Sequence, residues 1–63
     1  MNRIKELRQK KGLSVRKAAE EIGISQSMLS SYENGTRAPR DDETWGRLAN
    51  YFGVSISYLM GLT

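Results

Sequence analysis

The chain has 63 residues, with ten Lys or Arg against seven Asp or Glu, and it contains no Cys and no His. This length predicts one domain, residues 1–63, near the lower size limit for an unaided hydrophobic core, and the composition excludes disulfides and the usual zinc ligand sets. Without a Gly-rich phosphate loop either, we find no nucleophile–base pair, metal site or cofactor site, so we expect a protein that is not an enzyme. No apolar run reaches the length of a signal peptide or membrane span, which predicts a cytoplasmic protein.

Charge is divided unevenly along the chain. Residues 1–40 hold nine Lys or Arg against four Glu, a balance of +5, whereas residues 41–63 hold one Arg against three acids, a balance of −2. A basic front half suits a protein that presents one face to a polyanion. Modest basicity is also common among small domains, so the charge alone does not single out nucleic acid.

The first helix is expected to run to about Lys11. Asn2 can cap its start, and Gly12 stands just past its end. Ile4 and Leu7 recur at helical spacing and predict its buried face, with Met1 as an additional candidate.

Residues 14–34 show helical spacing of apolar residues twice, interrupted by Gly23-Ile24-Ser25. Gly is favoured just after a helix and Ser just before the next one, so this segment predicts two helices joined by a very short turn. Such a turn packs the helices at a steep angle and requires small residues where they meet, which Ala18 and Ala19 supply. This is the pattern of a helix-turn-helix, placed at about residues 14–34.

The second helix of this pair has an uncharged polar face. Its residues form two rows with a spacing of four, Gln26 with Ser30 and Ser27 with Ser31, and Asn34 continues the first row just beyond. Gln can form two hydrogen bonds with adenine N6 and N7, and Ser can donate or accept at several base edges. A solvated helix face usually carries Lys and Glu instead. We therefore expect these four residues to read bases in the major groove of DNA; the alternative is an exposed polar face without a partner.

From Leu13 to Gly35 the sequence resembles the phage-repressor (Cro-like) helix-turn-helix family of transcriptional regulators. The residues that carry the likeness are Ala19, Gly23, Ile24, Gln26-Ser27, Leu29 and Glu33-Asn34-Gly35. Toward the end of the chain, the segments that look like the family's last two helices are Leu48-Ala49, Phe52-Gly53-Val54-Ser55 and Tyr58-Leu59-Met60-Gly61. The resemblance implies an all-α, compact five-helix domain of the lambda-repressor-like type.

Two roles come from the resemblance. Family members commonly pair an Arg of the first helix with the acid at the end of the recognition helix, which implies an ion pair between Arg8 and Glu33; the alternative is two separate surface residues. In the family, the Asn of the Glu-Asn-Gly motif and the loop after it contact the sugar-phosphate backbone. That implies the same role for Asn34, Thr36 and Arg37.

The starts of the two central helices carry further groups suited to phosphate. Ser14 is the expected N-cap of the first, and Arg16 and Lys17 in its first turn oppose the helix dipole. The unfavourable interaction with the dipole is explained if the start of the helix faces a phosphate. The alternative, given equal weight, is that the fold tolerates two exposed cations there. Ser25 occupies the corresponding N-cap of the next helix, and we expect it at the DNA backbone too.

The loop before the fourth helix is basic. Arg37 and Arg40 carry guanidiniums that match phosphate oxygens, and no acid stands between them. Loops are, however, often basic without binding anything. Family members often place Pro one residue later than Pro39 and an apolar residue where Asp42 stands, which implies a loop longer here by about one residue.

Two more helices are expected in the rear half. Asp41 or Asp42 should cap the fourth helix, whose core face should consist of Trp45, Leu48, Ala49 and Phe52. Gly46 inside it costs roughly 1 kcal/mol relative to Ala, which close helix packing would explain. Ser55 should cap a short fifth helix, whose packing residues should be Ile56, Leu59 and Met60.

Together these features predict sequence-specific binding of double-stranded DNA by a transcriptional regulator that acts as a repressor. Two copies, as a weak homodimer or a dimer formed on DNA, would bind a pseudo-palindromic operator with half-sites about 34 Å apart. The alternative is a protein-interaction module, such as an antitoxin-type regulator with a protein partner on its last two helices. An apolar surface patch would favour that module, whereas the polar face of the third helix argues against it there.

Overall fold

A computed structural model describes all 63 residues, which form five α-helices and no strand. The helices are α1 (Ile4–Lys10), α2 (Val15–Ile22), α3 (Gln26–Asn34), α4 (Asp42–Phe52) and α5 (Ile56–Met60). The expected all-α, five-helix architecture is confirmed. No helix combines the length and the hydropathy that crossing a membrane would require.

Short polar side chains define where the helices begin. The N-caps of α2 to α5 are Ser14, Ser25, Asp41 and Ser55. Each accepts a hydrogen bond, at 2.8–3.1 Å, from the backbone N–H three residues further on. In α1 the N-cap position is Arg3 and not the expected Asn2, although the side chain of Asn2 accepts from the N–H of Ile4 at 3.0 Å. These bonds satisfy N–H groups that have no partner inside the helix, so each start is set locally.

The core is assembled from one apolar face of every helix. The largest side chains with no exposure are Ile4, Leu29, Leu48 and Leu59, which come from α1, α3, α4 and α5. α2 contributes Ala18 and Ala19, both buried, and their small size allows α3 to pack closely across it. α4 packs against α1, α2 and α5, and so closes the side of the core that the helix-turn-helix leaves open.

Four packing details differ from the expectation. Met1 is fully exposed and does not join the buried face of α1, because it precedes the first helical residue, Ile4. Phe52 is only half-buried, although it packs against the core cluster. Ile56 is 38 % exposed, because the five-residue α5 fully buries only Leu59. At Gly46 a Cβ atom would meet no other atom within 4 Å, so close helix packing does not explain this glycine.

Candidate nucleic-acid interface

The turn between α2 and α3 depends on a glycine. Gly23 has a φ of 91°, in the left-handed region that side chains disfavour. The N–H groups of Gly23 and Ile24 both donate to the carbonyl of Ala19, at 2.8 and 3.1 Å. Ser25 then has an extended backbone, and its hydroxyl accepts from the N–H of Met28. The chain thus reverses direction within three residues and starts α3 across α2.

α3 is buried on one side and polar on the other. Leu29 and Tyr32 hold it in the core. The four expected base-reading residues lie on the accessible side, where Gln26, Ser27 and Ser30 are exposed and Ser31 is half-exposed. With about 100° of rotation per residue, Ser27 and Ser30 are the two central residues of these four. The face carries no charged and no large apolar side chain, so hydroxyl and amide groups dominate its chemistry.

The far end of α3 is attached to α1 by a buried ion pair. Arg8 donates from Nε to Glu33 Oε2 at 2.6 Å and from Nη2 to Oε1 at 3.0 Å. Its Nη1 also donates to the carbonyl of Leu13 at 2.8 Å. The two charged side chains are only 11 % and 6 % exposed. The hydrogen bonds to Glu33 raise the pKa of the Arg8 guanidinium, so both charges are held in a fixed geometry.

The loop after α3 folds back on the helix end. Asn34 Oδ1 accepts from the backbone N–H of Thr36 at 3.0 Å and from its hydroxyl at 2.8 Å. The N–H of Arg37 donates to the carbonyl of Ser31 at 3.3 Å. Only the oxygen of the Asn34 amide is used by these bonds. Its NH₂ group has no protein acceptor and remains able to donate to a ligand oxygen.

Two grooves run beside α3, and Arg37 borders both. The smaller, of about 320 Å³, is lined by Ser25, Ser27, Met28, Ser31 and Arg37. The larger, of about 410 Å³, opens toward the start of α4 and includes Arg40 among its lining residues. Both arginines are exposed, and neither forms an ion pair. The structure therefore places the free guanidinium of Arg37 beside the polar face of α3, and that of Arg40 in the larger groove, next to Met28 and Tyr32 of the same helix.

The start of α2 also carries exposed cations. Arg16 and Lys17 lie 3.8 and 3.6 Å from the carboxylates of Glu20 and Glu21, one turn further along the helix. All four side chains are at least 40 % exposed, and such pairs contribute little and are easily exchanged for another anion. The hydroxyl of Ser14 accepts a hydrogen bond from the backbone N–H of Lys17 in the same helix. These residues are accessible to a ligand at this end of α2.

Three contacts that support this surface were not expected from the sequence. Asn2 donates from Nδ2 to the carbonyl of Tyr32 at 3.0 Å, which gives α3 a second attachment to the start of the chain. Arg47 of α4 donates to the carbonyl of Ile22 at 2.5 Å. The sequence does set Arg47 apart, because it is the only Lys or Arg among residues 41–63.

The third contact joins α2 to α4. The hydroxyl of Tyr51 donates to the carboxylate of Glu21. Burial, together with this hydrogen bond, raises the pKa of Tyr51 to about 12, and the same bond lowers the pKa of Glu21. No spacing rule could have paired two residues 30 positions apart.

Comparison with known proteins adds a family and several relatives. A helix-turn-helix family model matches residues 4–59. The chain is 44 % identical over 59 residues to the HTH-type transcriptional regulator ImmR of Bacillus subtilis (strain 168), covering 94 % of this chain and 46 % of ImmR.

Two further regulators from that strain are similar over nearly the whole chain. The uncharacterized HTH-type transcriptional regulator YobD and the HTH-type transcriptional regulator AnsR are each 36 % identical over 61 residues, covering 97 % of this chain and 54 % and 52 % of those proteins. The chain thus spans about half the length of the curated relatives it matches. No solved structure matches it.

Proposed function

The chain belongs to the Cro-like helix-turn-helix family of transcriptional regulators, and on this basis we propose that it represses transcription by binding a specific operator in double-stranded DNA. The observation that carries the proposal is the exposed, uncharged polar face of α3, bordered by the free guanidinium of Arg37. An α-helix fits the major groove, where each base pair presents a distinct pattern of donors and acceptors. A DNA-binding regulator acts where the chromosome lies, so we also propose a location in the bacterial cytoplasm.

Base reading is assigned to α3. We propose that Gln26 and Ser27, at the start of the helix, contact base edges, with Gln26 suited to adenine N6 and N7. Ser30 and Ser31 lie further along the same face, and their short side chains would permit close approach to the bases. Because Ser pairs with several bases, most of the discrimination should come from Gln26.

Backbone contacts are assigned to both sides of that face. The proposed phosphate-binding residues are Ser14, Arg16, Lys17, Ser25, Asn34, Thr36, Arg37 and Arg40. The first four stand at the starts of α2 and α3, where backbone N–H groups favour anions. The last four belong to the end of α3 and the loop after it, where the guanidiniums and the Asn34 NH₂ group have no acidic partner. Contacts of this kind fix register, whereas base contacts supply specificity.

Two copies are proposed to bind one operator. The longest dimension of the chain is 26 Å, and half-sites one helical turn apart are separated by about 34 Å. Two copies therefore fit side by side on one face of the duplex without overlap. We propose a pseudo-palindromic site, occupied by a weak homodimer or by a dimer that forms on DNA.

A second candidate is a protein-interaction module of the antitoxin type. Two large apolar side chains favour it, since Met1 is fully exposed and Leu62 is 71 % exposed. They lie at one corner, because Gly61 is packed against the carbonyl of Met1. A gel shift with pooled duplex DNA and a pull-down from the same sample separate the two candidates.

Selection from random duplex oligonucleotides tests the function directly. We expect a recovered consensus with two-fold symmetry. Retention should fall steeply with salt, because bound Lys and Arg release counterions from the phosphates. If the chain retains no duplex even at low ionic strength, DNA binding itself is wrong.

Two variants test the assignment of roles. Gln26→Ala should relax base preference at one position, at a cost of about 1–3 kcal/mol for the preferred base. Arg37→Ala should weaken all sequences alike and reduce the slope of log affinity against log salt by about one. Gln9→Ala, an exposed Gln on α1, is the matched control. A uniform loss in both variants would show that the roles are misassigned.

A further inference from the structure

Arg47 closes the end of α2 from a different helix. Its Nη2 atom donates to the carbonyl of Ile22, the last residue of α2, at 2.5 Å. Carbonyls of a last helical turn have no partner within their own helix, and the helix dipole makes that end negative. The guanidinium therefore supplies both a donor and a compensating charge at the point where α2 ends.

The same guanidinium covers the turn. A Cβ atom built on Gly23 would lie 2.8 Å from Arg47 Nη2, a distance that real contacts essentially never show. A side chain at Gly23 would therefore be strained by the left-handed backbone, and it would displace the flexible end of the Arg47 side chain from the turn. Arg47 itself is held by its helix, because Trp45 and Leu48 anchor α4 in the core on either side of it.

We propose that Arg47 is a positioning residue for DNA recognition, which sets the angle between α2 and α3 without touching DNA. The proposal rests on the function proposed above. Gln26 and Ser27 are the first two residues of α3 and directly follow the turn that Arg47 covers, so a shift of the turn by about 1 Å would displace both side chains from the geometry that hydrogen bonds to base edges require. Hydrogen bonds to base edges do not survive such a displacement, whereas attraction to phosphates does.

The position of Arg47 separates it from Arg16 and Lys17, the proposed cationic phosphate contacts of α2. It lies at the C-terminal end of α2, whereas Arg16 and Lys17 lie at the N-terminal end of this eight-residue helix. The two ends are about 10 Å apart. Loss of Arg47 should therefore reduce specific affinity and leave the salt dependence of binding unchanged.

Arg47→Met tests the proposal, with Lys5→Met as the control for loss of one positive charge, since Lys5 is exposed on α1 and outside the proposed interface. Affinity is measured for a duplex selected by the wild-type chain and for an unrelated duplex of equal length, with folding monitored by Trp45 fluorescence. We expect Arg47→Met to lose about tenfold for the selected duplex only, the effect of about one misplaced base contact. Arg47→Lys, which keeps a charge and a donor, should recover part of the loss.

A pair of glycine variants gives an independent test if Arg47→Met does not fold. Gly23→Ala would displace the guanidinium, whereas Gly53→Ala meets no atom within 4 Å, and both sites have positive φ values, of 91° and 71°. The backbone strain is therefore matched, and only Gly23→Ala should lose selectivity for the chosen duplex.

The outcomes are separable. If wild type binds no duplex, the proposed function fails. If wild type discriminates between duplexes but Arg47→Met binds the selected one as tightly as Lys5→Met does, the positioning role fails alone. Equal losses for both duplexes, with a shallower salt slope, would make Arg47 a phosphate contact and would also overturn the proposal. Equal selectivity in Gly23→Ala and Gly53→Ala would do the same.

Discussion

At the scale of single residues, the Arg8–Glu33 ion pair has the largest consequence for how α3 is held. Burial of two charges is costly, and their mutual attraction repays that cost only when the hydrogen bonds are complete. Here Arg8 makes two bonds to the carboxylate and one to the carbonyl of Leu13, which links α1, the start of α2 and the end of α3. The pair could be anticipated only from family resemblance, since 25 positions separate its members.

Arg8→Met tests the weight of this pair. It leaves the Glu33 carboxylate buried without a partner, so we expect a loss of about 3–5 kcal/mol in the free energy of unfolding. A chain of this length has little more stability than that. Urea denaturation followed by Trp45 fluorescence measures the loss.

An exposed ion pair provides the control. Lys10→Met breaks the contact with Glu6, at 3.6 Å, whose side chains are 67 % and 55 % exposed. Its loss should be about 0.5 kcal/mol or less. The double variant Arg8→Met/Glu33→Met should be more stable than Arg8→Met alone, because no unpaired charge remains. Equal destabilisation by Arg8→Met and Lys10→Met would contradict a role for burial.

At the scale of helices, the residue at which a helix begins is set by interactions with residues a few positions away along the chain. Ser14, Ser25, Asp41 and Ser55 each cap the helix that follows, as the sequence predicted, with the alternative Asp42 now placed inside α4. The rule works because a cap interacts with an N–H only three residues away. Packing between helices joins residues that are far apart along the chain. The expectation that close helix packing explains Gly46 was wrong for this reason.

Gly46→Ala should therefore stabilise α4. The position is helical and half-exposed, and a methyl group would meet nothing within 4 Å. We expect a gain of about 1 kcal/mol in the free energy of unfolding, seen as a rise in Tm of about 4–8 °C by calorimetry or circular dichroism. Gly53→Ala, at a positive φ, should lower Tm and serves as the control. A fall in Tm for Gly46→Ala would indicate an unrecognised contact at this face.

At the scale of the whole molecule, the arginines fall into two groups: some have no partner and lie beside α3, and others form bonds that hold the helices together. The free guanidiniums of Arg37 and Arg40 lie beside α3, whereas Arg8 and Arg47 are used to hold helices in place. Net charge alone could not distinguish these uses. Stability also depends on pH through groups that join distant helices, of which Tyr51 and Glu21 are the clearest example.

The stability of the chain should fall at both ends of the pH scale. The hydrogen bond from Tyr51 lowers the pKa of Glu21 below its ordinary value of 4.5, so the stability that it contributes is present above that value and lost as pH falls through the folded-state pKa. The pKa of Tyr51 is raised from 10.0 to about 12. Its contribution is therefore present below pH 10 and lost between pH 10 and about 12.

Tyr51→Phe isolates this effect. The difference in free energy of unfolding between wild type and Tyr51→Phe should be constant between about pH 5 and 9 and should shrink on either side. Urea denaturation across this range measures the difference. A difference that does not change with pH would show that the Tyr51–Glu21 bond does not couple to stability.

The sequence by itself determined the five helices, the caps of α2 to α5, the turn at Gly23 and the polar face of α3. These features depend on spacing and on hydrogen bonds that reach no further than about four residues. Only the tertiary structure decided that Asn2 holds Tyr32 and that Arg47 holds Ile22, contacts that span 30 and 25 positions. The tertiary structure also decided that no neighbouring helix packs against Gly46, where a Cβ atom would have free space. Such contacts are set by the way helices pack, and packing brings together residues whose separation along the chain carries no signal.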